Sequence, residues 1–392
     1  MIPAVTSPLR PVARPAPARS AGFNLFMTVD AVSGIWQYGL DLAMELDRHG
    51  IGVTLAVLGP EPSQEQLRAT RAIRGLDLRV PGAALEWSAL ARNEIEMAAW
   101  MVAREAERAQ ADLIHLNSPA LAALAPFRAP VVAATHGCVA TWWMAMRGGR
   151  LPPDLVWRAA LTAEGCRRAD LLLAPTRAFA EATAATYGLS APPRVVPNGR
   201  RSAAARGHRS PAGSASPFAF AAGRLWDEAK NARILDGVAG RIDLPFLAAG
   251  PLKGPNAAEF GPRHLRALGV LSEQDVTRWL SGAPIYVSAA RYEPFGLGVL
   301  EAAEAGCALV LSDIPTHREL WDEAAIFLPP DDEAGFACAI ETVAADPAIR
   351  ARLGAEAQAR AAAYTAEAMA EGVLGAYRSV LERSEPCAGV AW

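Results

Sequence analysis

The chain has 392 residues, of which 52% are hydrophobic and 20% charged, and it carries a formal net charge of -3 with a pI near 6.1. A single hydrophobic core stops growing well below this length, so two domains of roughly 150 to 200 residues are expected. The small negative charge excludes bulk attraction to nucleic acid or anionic lipid.

The amino terminus and the cysteines indicate the cellular compartment of the protein. Residues 1–21 are rich in Pro, Ala and Arg and lack the apolar core of an export signal, so a disordered leader is predicted. Five cysteines without CxxC spacing are typical of reduced thiols, and no apolar run approaches the roughly 20 residues of a membrane span. The sequence predicts a cytoplasmic protein, and peripheral contact with the inner face of the membrane stays open.

Strands and helices alternate through the first predicted domain, residues 22–199. Its predicted strands lie at 23–30, 51–59, 111–118, 129–137, 169–176 and 193–199. Helices are predicted at 36–50 and 177–187, where apolar residues recur with helical spacing. Strands that are apolar on both faces and are separated by helices indicate a parallel sheet covered on both sides, so the fold class is α/β.

A second alternating series follows a break in periodicity. Residues 200–216 are rich in small and basic residues and are predicted to be the linker. The second domain, 217–367, has predicted strands at 217–225, 245–251, 264–271, 283–290 and 307–313. The tail from about 343 to 383 has helical period, and 368–392 is predicted to pack back on the first domain. Two such halves form a cleft, and ligands bind there at the carboxyl ends of strands.

The stretch RYEPFGLGVLEAAEAG, residues 291–306, places Glu293 and Glu301 eight positions apart around a glycine-rich turn. Burying an unpaired carboxylate costs several kcal/mol, so each needs a ligand, a partner or solvent. A helix start suits phosphate, and Glu301 would follow about 6 to 8 Å along the axis, near the ribose of a nucleoside diphosphate. The alternative is two solvated residues paired with Arg291 or Arg318.

A second motif, AAGRLWDEAKN, contains Arg224 and Lys230 after a predicted strand. Two cations delivered to one small volume suit a departing nucleoside diphosphate. The alternative is an exposed ion pair between Lys230 and Asp227 or Glu228, which stabilises a protein by at most about 1 kcal/mol.

Two further groups lie in the first half. His136 ends a predicted strand in ATHG, and His115 and Asn117 end the preceding one, where they are candidates for the acceptor side of the cleft. A lone histidine is more often a satisfied core or surface residue. Trp142 and Trp143 begin an aromatic cluster that could stack on a sugar or meet lipid, but core packing is the commoner use of such clusters.

In this order the motifs resemble those of the retaining nucleotide-sugar glycosyltransferases of the GT-B fold in family 4. The resemblance extends from residue 23 to about 380 and is strongest at 283–320, where EPFGLGVLEAAEAG is similar to the E-x7-E donor motif of that family. It implies two Rossmann-like parallel-sheet domains that face each other across a cleft.

The resemblance also implies roles for the residues of the donor motif. Glu293 would lie against the hydroxyls of the donor sugar, and Glu301 would hold the ribose. The backbone of Phe295, Gly296 and Leu297 would meet sugar and phosphate.

Other implied contacts come from both halves of the chain. Arg224 and Lys230 would neutralise the leaving diphosphate, and Gly34 would approach it from the opposite domain. His136 would contact the donor sugar. The base would lie against the backbone around Gly269 to Leu271. Glu293, His136, Arg224 and Lys230 are therefore the predicted catalytic residues.

The predicted activity is transfer of a hexose from a UDP or GDP sugar to an acceptor hydroxyl with retention. The acceptor would be a carbohydrate, a lipid-linked sugar or a small molecule. No metal is expected because no DxD motif is placed to hold one, and no other cofactor and no nucleic acid partner are expected. An epimerase or hydrolase of the same fold and a non-catalytic sugar-nucleotide-binding subunit remain as alternatives. A Rossmann dehydrogenase is excluded because MTVDAVSGIW lacks GxGxxG.

Overall fold

The computed structural model describes residues 22–201, 216–255 and 257–384. The predicted leader, most of the predicted linker and the last eight residues lie outside these ranges. Within them the chain forms two parallel sheets.

The first sheet is built before the predicted linker. Its strands are β1 (Asn24–Asp30), β2 (Gly52–Leu58), β3 (Leu76–Arg79), β4 (Leu113–Leu116), β5 (Val131–Ala134), β6 (Leu171–Ala174) and β7 (Arg194–Val195). Its helices are α1 (Ile35–Arg48), α2 (Gln64–Thr70), α3 (Arg92–Arg108), α4 (Val139–Met146), α5 (Pro153–Arg168) and α6 (Arg177–Tyr187). The spatial order is β3-β2-β1-β4-β5-β6-β7, and every pairing is parallel.

The second sheet follows the linker. Its strands are β8 (Ala219–Ala222), β9 (Phe246–Ala249), β10 (Arg266–Gly269), β11 (Ile285–Ser288), β12 (Ala308–Ser312) and β13 (Ala325–Leu328). The helices are α7 (Ala232–Ala239), α8 (Glu273–Leu280), α9 (Leu297–Glu304), α10 (Pro315–Trp321), α11 (Glu333–Ala345), α12 (Pro347–Ala361) and α13 (Ala366–Ser384). The order β10-β9-β8-β11-β12-β13 places the first strand of this series at the centre, and the pairings are again parallel. These results confirm the predicted α/β class with two Rossmann-like sheets.

Alternation along the strands explains why each sheet has two buried faces. In β1, Leu25 and Met27 belong to one apolar core, whereas Phe26 between them belongs to the core on the opposite face. Successive side chains of a strand point to opposite faces, so a strand buried on both sides must be apolar throughout. We call the first sheet with its flanking helices the first lobe and the second sheet with its helices the second lobe.

The last helix crosses back to the first lobe. Met369, Val373 and Tyr377 of α13 are buried in the core that also contains Leu25 and Met27. The predicted helical tail is thus three helices, α11 to α13. Asp346 separates the first two by accepting hydrogen bonds from the backbone N–H groups of Ala348 and Ile349, an N-cap for α12.

Two strands were not predicted, β3 and β13. Both lie at the edge of a sheet, and β3 reads LDLR, with charged residues alternating with leucine. The alternation in β3 replaces the continuous apolar run that marks a central parallel strand, whereas β13, which reads AIFL, is apolar but only four residues long. None of the helices in the described ranges combines the length and the apolarity needed to cross a bilayer.

Candidate functional site

The carboxyl ends of β8 and β11 bring Lys230 and Glu293 together. The two strands are neighbours in the second sheet, and the loops that follow them carry these two residues. The Lys230 ammonium forms an ion pair with Oε2 of Glu293, and both side chains are mostly buried. Burial alone raises the pKa of Glu293, but Lys230 outweighs it, so the pKa of this carboxyl is lowered. Glu293 is therefore ionised at neutral pH.

Arg224 lies beside this pair and is held by Asp227. Its Nη2 donates to Asp227 Oδ2 at 2.7 Å, and its guanidinium lies 5.8 Å from the ring centre of Trp226. Arg224 also contributes to the lowered pKa of Glu293. The alternative partners considered for Lys230 are thus engaged elsewhere, since Glu228 pairs with Arg147 of the first lobe at 2.5 Å.

Helix α9 begins at the same edge of the sheet without a capping side chain. Gly296 precedes it with φ +91° and ψ 67°, a left-handed conformation that favours glycine. Phe295 is buried and its ring packs edge-on against Tyr364, with ring centres 5.8 Å apart. A Cβ on Gly298 would lie 2.7 Å from the hydroxyl of Tyr286, so the first turn of α9 has little room for side chains. The helix start is a positive dipole end without a capping side chain, suited to an anion.

The loop before α1 approaches this helix start from the first lobe. A Cβ on Gly34 would lie 3.1 Å from Cδ1 of Leu297. The loop is shaped by Asp30, whose carboxylate accepts hydrogen bonds from the backbone N–H groups of Val32 and Ser33 at 2.9 and 2.7 Å and from the Ser33 hydroxyl at 2.8 Å. The sequence analysis did not identify Asp30, although an Asp three residues before a Ser is a recognisable turn signal.

Glu301 lies in the second turn of α9, as its spacing predicts. Its Oε1 is 2.9 Å from Nε of Arg200, and its side chain is 19% exposed. Arg200 belongs to the stretch predicted as linker, yet it is completely buried. Sequence reasoning missed it because a basic, small-residue segment is usually solvated.

A hydrogen-bond network connects His136 to the last helix. Asn117 Nδ2 donates to the carbonyl of Thr28 at 2.6 Å, so Asn117 Oδ1 is the acceptor of this amide. Nε2 of His136 and Nε2 of His115 both reach that oxygen, at 2.7 and 3.2 Å, and both must carry a proton. His115 Nδ1 then accepts from the Tyr377 hydroxyl at 2.7 Å.

Burial keeps both histidines neutral. It lowers the pKa of His136 to about 3, with His115 as a smaller cause, and the pKa of His115 to about 4. The ring of Tyr38 lies against His136, with centres 4.5 Å apart. His115 was predicted to line the acceptor side, but it has no exposed surface. It therefore does not line the cleft and instead contacts Asn117 inside the lobe.

Family profiles match both halves of the chain. The profile described as Glycosyltransferase Family 4 matches residues 32–201, and the profile described as Glycosyl transferases group 1 matches residues 217–346. The chain belongs to the family 4 group of glycosyltransferases.

Curated relatives of this family 4 chain align over part of their length. Glycogen synthase of Mycobacterium tuberculosis is 37% identical over 100 residues, which is 25% of this chain and 24% of that protein. D-rhamnosyltransferase WbpZ of Pseudomonas aeruginosa is 31% identical over 137 residues, 32% of this chain and 36% of that protein. The chain thus spans about a quarter to a third of the length of the curated relatives it matches.

Solved structures align over nearly the whole family 4 chain. Sucrose-phosphate synthase of Thermosynechococcus elongatus superposes with a TM-score of 0.72 at 16% identity, covering 92% of this chain and 100% of that one. A glycosyltransferase from Rickettsia africae gives a TM-score of 0.67 at 14% identity, covering 93% and 100%. These likenesses show that the fold is GT-B.

The aromatic cluster of the family 4 chain lies at the surface of the first lobe. Trp142 and Trp143 on α4 are each only partly buried, contrary to the preference for core packing. Trp142 lies under the guanidinium of Arg147 at 5.6 Å, and Trp143 Nε1 donates to the carbonyl of Gly148 at 3.1 Å. Ala140, Thr141 and Met146 form the buried side of α4, and the two tryptophan rings lie outside it.

Gly269 ends β10, the edge strand of the second sheet, and Leu271 follows it. Gly269 has φ +73°, and its carbonyl accepts from the backbone N–H of Gly250 at 2.8 Å. Leu271 packs against the core beneath α9. The two residues are thus at the carboxyl end of their strand, the side of the sheet that carries Glu293 and Lys230.

Several residues around Glu293 were not identified from the sequence. Thr316 donates its hydroxyl to the carbonyl of Glu293 at 2.6 Å. His317 is completely buried, which lowers its pKa to about 4, and its Nε2 has no hydrogen-bond partner among the described residues. The signal was the stretch SDIPTHREL, which follows β12 at the same edge. No group of three or more His, Cys, Asp or Glu side chains in the described part of the chain is placed to hold a metal ion.

Proposed function

We propose that this chain is a retaining glycosyltransferase that moves a hexose from a nucleotide diphosphate sugar to an acceptor hydroxyl. The observation that carries the proposal is the Lys230–Glu293 ion pair at the bare start of α9, with Gly34 of the other lobe opposite. Cations, a helix dipole and an ionised carboxylate then surround one small volume. In a nucleoside diphosphate sugar, the phosphates need the cations and the helix dipole, and the sugar hydroxyls need the carboxylate.

In this proposal the donor diphosphate lies at the first turn of α9, with Gly34 of the other lobe alongside. The two glycines beside it, Gly34 and Gly296, allow backbone N–H groups to approach phosphate oxygens. Arg224 and Lys230 neutralise the charge that builds up on the leaving diphosphate, so the protein supplies by its own side chains what a metal ion would otherwise supply. A UDP or GDP sugar is the proposed donor.

Glu293 and His136 receive the donor sugar. The Glu293 carboxylate accepts from sugar hydroxyls once Lys230 turns toward phosphate, and the neutral His136 meets the sugar from the first lobe. His136 can donate only from Nε2, which is already bound to Asn117, so its Nδ1 acts as an acceptor of a sugar hydroxyl. Positioning and charge stabilisation provide most of the rate acceleration.

The acceptor enters over the first lobe. Asn117 follows β4 and is buried, with both amide atoms hydrogen-bonded inside the lobe, whereas Trp142 and Trp143 offer partly exposed rings that can stack on a carbohydrate. Glycogen synthase and a rhamnosyltransferase are among the relatives, which favours a carbohydrate or a lipid-linked sugar as acceptor. Activity at the inner face of the membrane is compatible with such an acceptor.

The test is calorimetric titration with UDP, GDP and ADP sugars, followed by mass and NMR analysis of products formed with a panel of sugar acceptors. Binding of one donor class and an acceptor glycoside of unchanged anomeric configuration are expected. Activity should persist in EDTA. Glu293→Gln should retain the fold by circular dichroism while turnover falls by roughly 10².

Three results would overturn parts of the proposal. Conversion of the donor without an acceptor would favour an epimerase or hydrolase of this fold. Binding without turnover on any acceptor would favour a non-catalytic subunit. Inversion at the anomeric carbon would remove the retaining assignment.

A further inference from the structure

Arg200 is the only guanidinium in the described residues that contacts carboxylates of both lobes while fully buried. Its Nη1 lies 2.5 Å from Asp41 of α1, in the first lobe. Its Nη2 lies 2.6 Å from Glu273 of α8, and its Nε lies 2.9 Å from Glu301 of α9, both in the second lobe. The side chain is 1% exposed.

The backbone holds Arg200 rigidly. Its N–H donates to the carbonyl of Tyr364 at 3.1 Å, and its carbonyl accepts from Ala366 at 3.0 Å. A Cβ on the preceding Gly199 would lie 2.0 Å from the carbonyl oxygen of Thr365, so the two crossing chain segments are in direct contact there. The backbone of Arg200 is thus held in place, and its guanidinium extends from there to α9.

Glu301 is one of three carboxylates whose charge acts on Arg200. Burial alone lowers the pKa of Arg200, but the carboxylates around it, Glu301 first, outweigh burial and raise the pKa. The buried Nε–H nevertheless makes no hydrogen bond of normal geometry, because the Glu301 oxygen lies at 2.9 Å but out of line. The contact between Arg200 Nε and Glu301 is therefore an ion pair and not a hydrogen bond.

Building on the proposed function, we infer that Arg200 is a positioning residue for recognition of the donor ribose. It holds Oε1 of Glu301, so that Oε2 is presented to the ribose hydroxyls. Glu301 is 19% exposed and can reach a ligand, whereas Arg200 cannot. A carboxylate fixed in this way discriminates a ribonucleotide from its 2′-deoxy form, because a missing hydroxyl leaves the charged oxygen without its partner.

The choice of variant follows from the atoms involved. Arg200→Ala would leave buried carboxylates without a cation, and breaking such a cluster is strongly destabilising. Arg200→Lys keeps the charge at the end of the side chain, near Asp41 and Glu273, but places a methylene where Nε meets Glu301. It therefore removes the contact with Glu301 and retains the rest.

The neighbouring Arg201 provides a matched control. It also makes an ion pair through Nε, at 3.0 Å, but to Asp41 and not to Glu301. Arg201→Lys thus removes a contact of the same chemistry from the same cluster. Thermal unfolding of both variants checks that they fold.

The experiment measures Kd by calorimetry for UDP, GDP, ADP and their 2′-deoxy counterparts. Wild type is expected to prefer the ribonucleotide about tenfold or more over the 2′-deoxy form, the effect of one hydrogen bond to a charged group. Arg200→Lys should reduce this ratio about fivefold or more toward equality, and Arg201→Lys should retain it.

Two outcomes would overturn the inference. If Arg200→Lys weakens ribonucleotide and deoxyribonucleotide equally, Arg200 has a structural role only, while the proposed function stands. If wild type binds none of the six nucleotides, the proposed function fails and the inference fails with it.

Discussion

Lys230 and Glu293 form a mostly buried ion pair that joins the loops after two neighbouring central strands of the second sheet. In this pair each charge satisfies the other. Under the proposed function, a donor would bring phosphate to Lys230 and hydroxyls to Glu293 and so replace the pair with two sets of contacts.

Lysine substitution tests this pair with a close control, since the chain contains only two lysines. Lys230→Ala should lower kcat/KM by roughly 10², because the leaving diphosphate loses a preorganised charge. Lys253→Ala removes an exposed lysine, 75% exposed and paired with Glu259, and should stay within about twofold of wild type. Equal rates for both variants under saturating acceptor would show that Lys230 does not act on the leaving group.

Tyr292, next to Glu293, should determine how firmly the lobes are joined. Its hydroxyl contacts the Thr141 hydroxyl at 2.8 Å and accepts from the backbone N–H of Cys138 at 3.2 Å, both in the first lobe. Tyr292→Phe keeps the ring contact with Phe179 but leaves the Cys138 N–H unpartnered, and should lower the free energy of unfolding by about 1 to 3 kcal/mol.

Urea unfolding followed by tryptophan fluorescence measures this change. Tyr364→Phe, at a partly buried position whose ring lies in the second lobe, serves as the control and should shift the free energy of unfolding by less. A Tyr292→Phe variant as stable as wild type would mean that water or a rearranged side chain replaces the hydroxyl.

Buried histidines should make the protein less stable in acid. The pKa of His115 is about 4 in the folded protein, below its ordinary value of 6.5, so below pH 6.5 the unfolded chain binds more protons than the native state. Stability therefore falls as pH decreases from 6.5 toward 4, by about 2 kcal/mol at pH 5 for each such histidine. The free energy of unfolding at pH 7.5 and pH 5.0 measures it.

His115→Gln should show a smaller loss between these two pH values than wild type. His49→Gln, at an exposed site after α1, should keep the wild-type pH dependence. Equal pH dependence in all three proteins would contradict the assignment of a neutral, buried His115.

Glu86 should make the stability of the protein depend on pH in the opposite direction. Burial raises the pKa of this carboxyl from 4.5 to about 7, despite nearby Arg158 and Ser118, so the native state binds its proton more tightly than the unfolded chain. The contribution of Glu86 to the free energy of unfolding therefore falls as pH rises from 4.5 to 7. Glu86→Gln should therefore stabilise the protein at pH 8 by up to about 3 kcal/mol and have little effect at pH 4.

Chemical unfolding at the two pH values provides the measurement. Glu96→Gln, in an exposed helical ion pair with Arg92, should change the free energy of unfolding by less than about 0.5 kcal/mol at either pH. A Glu86→Gln variant that is less stable than wild type at pH 8 would mean that Glu86 is ionised and paired in the fold.

The sequence was sufficient for the parts of the site that depend on strand ends. Glu293 and Lys230 each follow an apolar run of strand character, and parallel strands bring their carboxyl ends to one edge of a sheet. Proximity of the two residues therefore follows from the alternation of strands and helices, as does the position of Glu301 one turn into α9.

Tertiary structure alone decided what the charged groups pair with. Arg200 meets Glu301 only because the chain crosses between the lobes at that residue, and Tyr377 reaches His115 only because α13 returns to the first lobe. Periodicity reports which face of an element is buried, and it is a local property. The partner of a buried polar group depends on how distant elements pack, and no spacing along the chain encodes that distance.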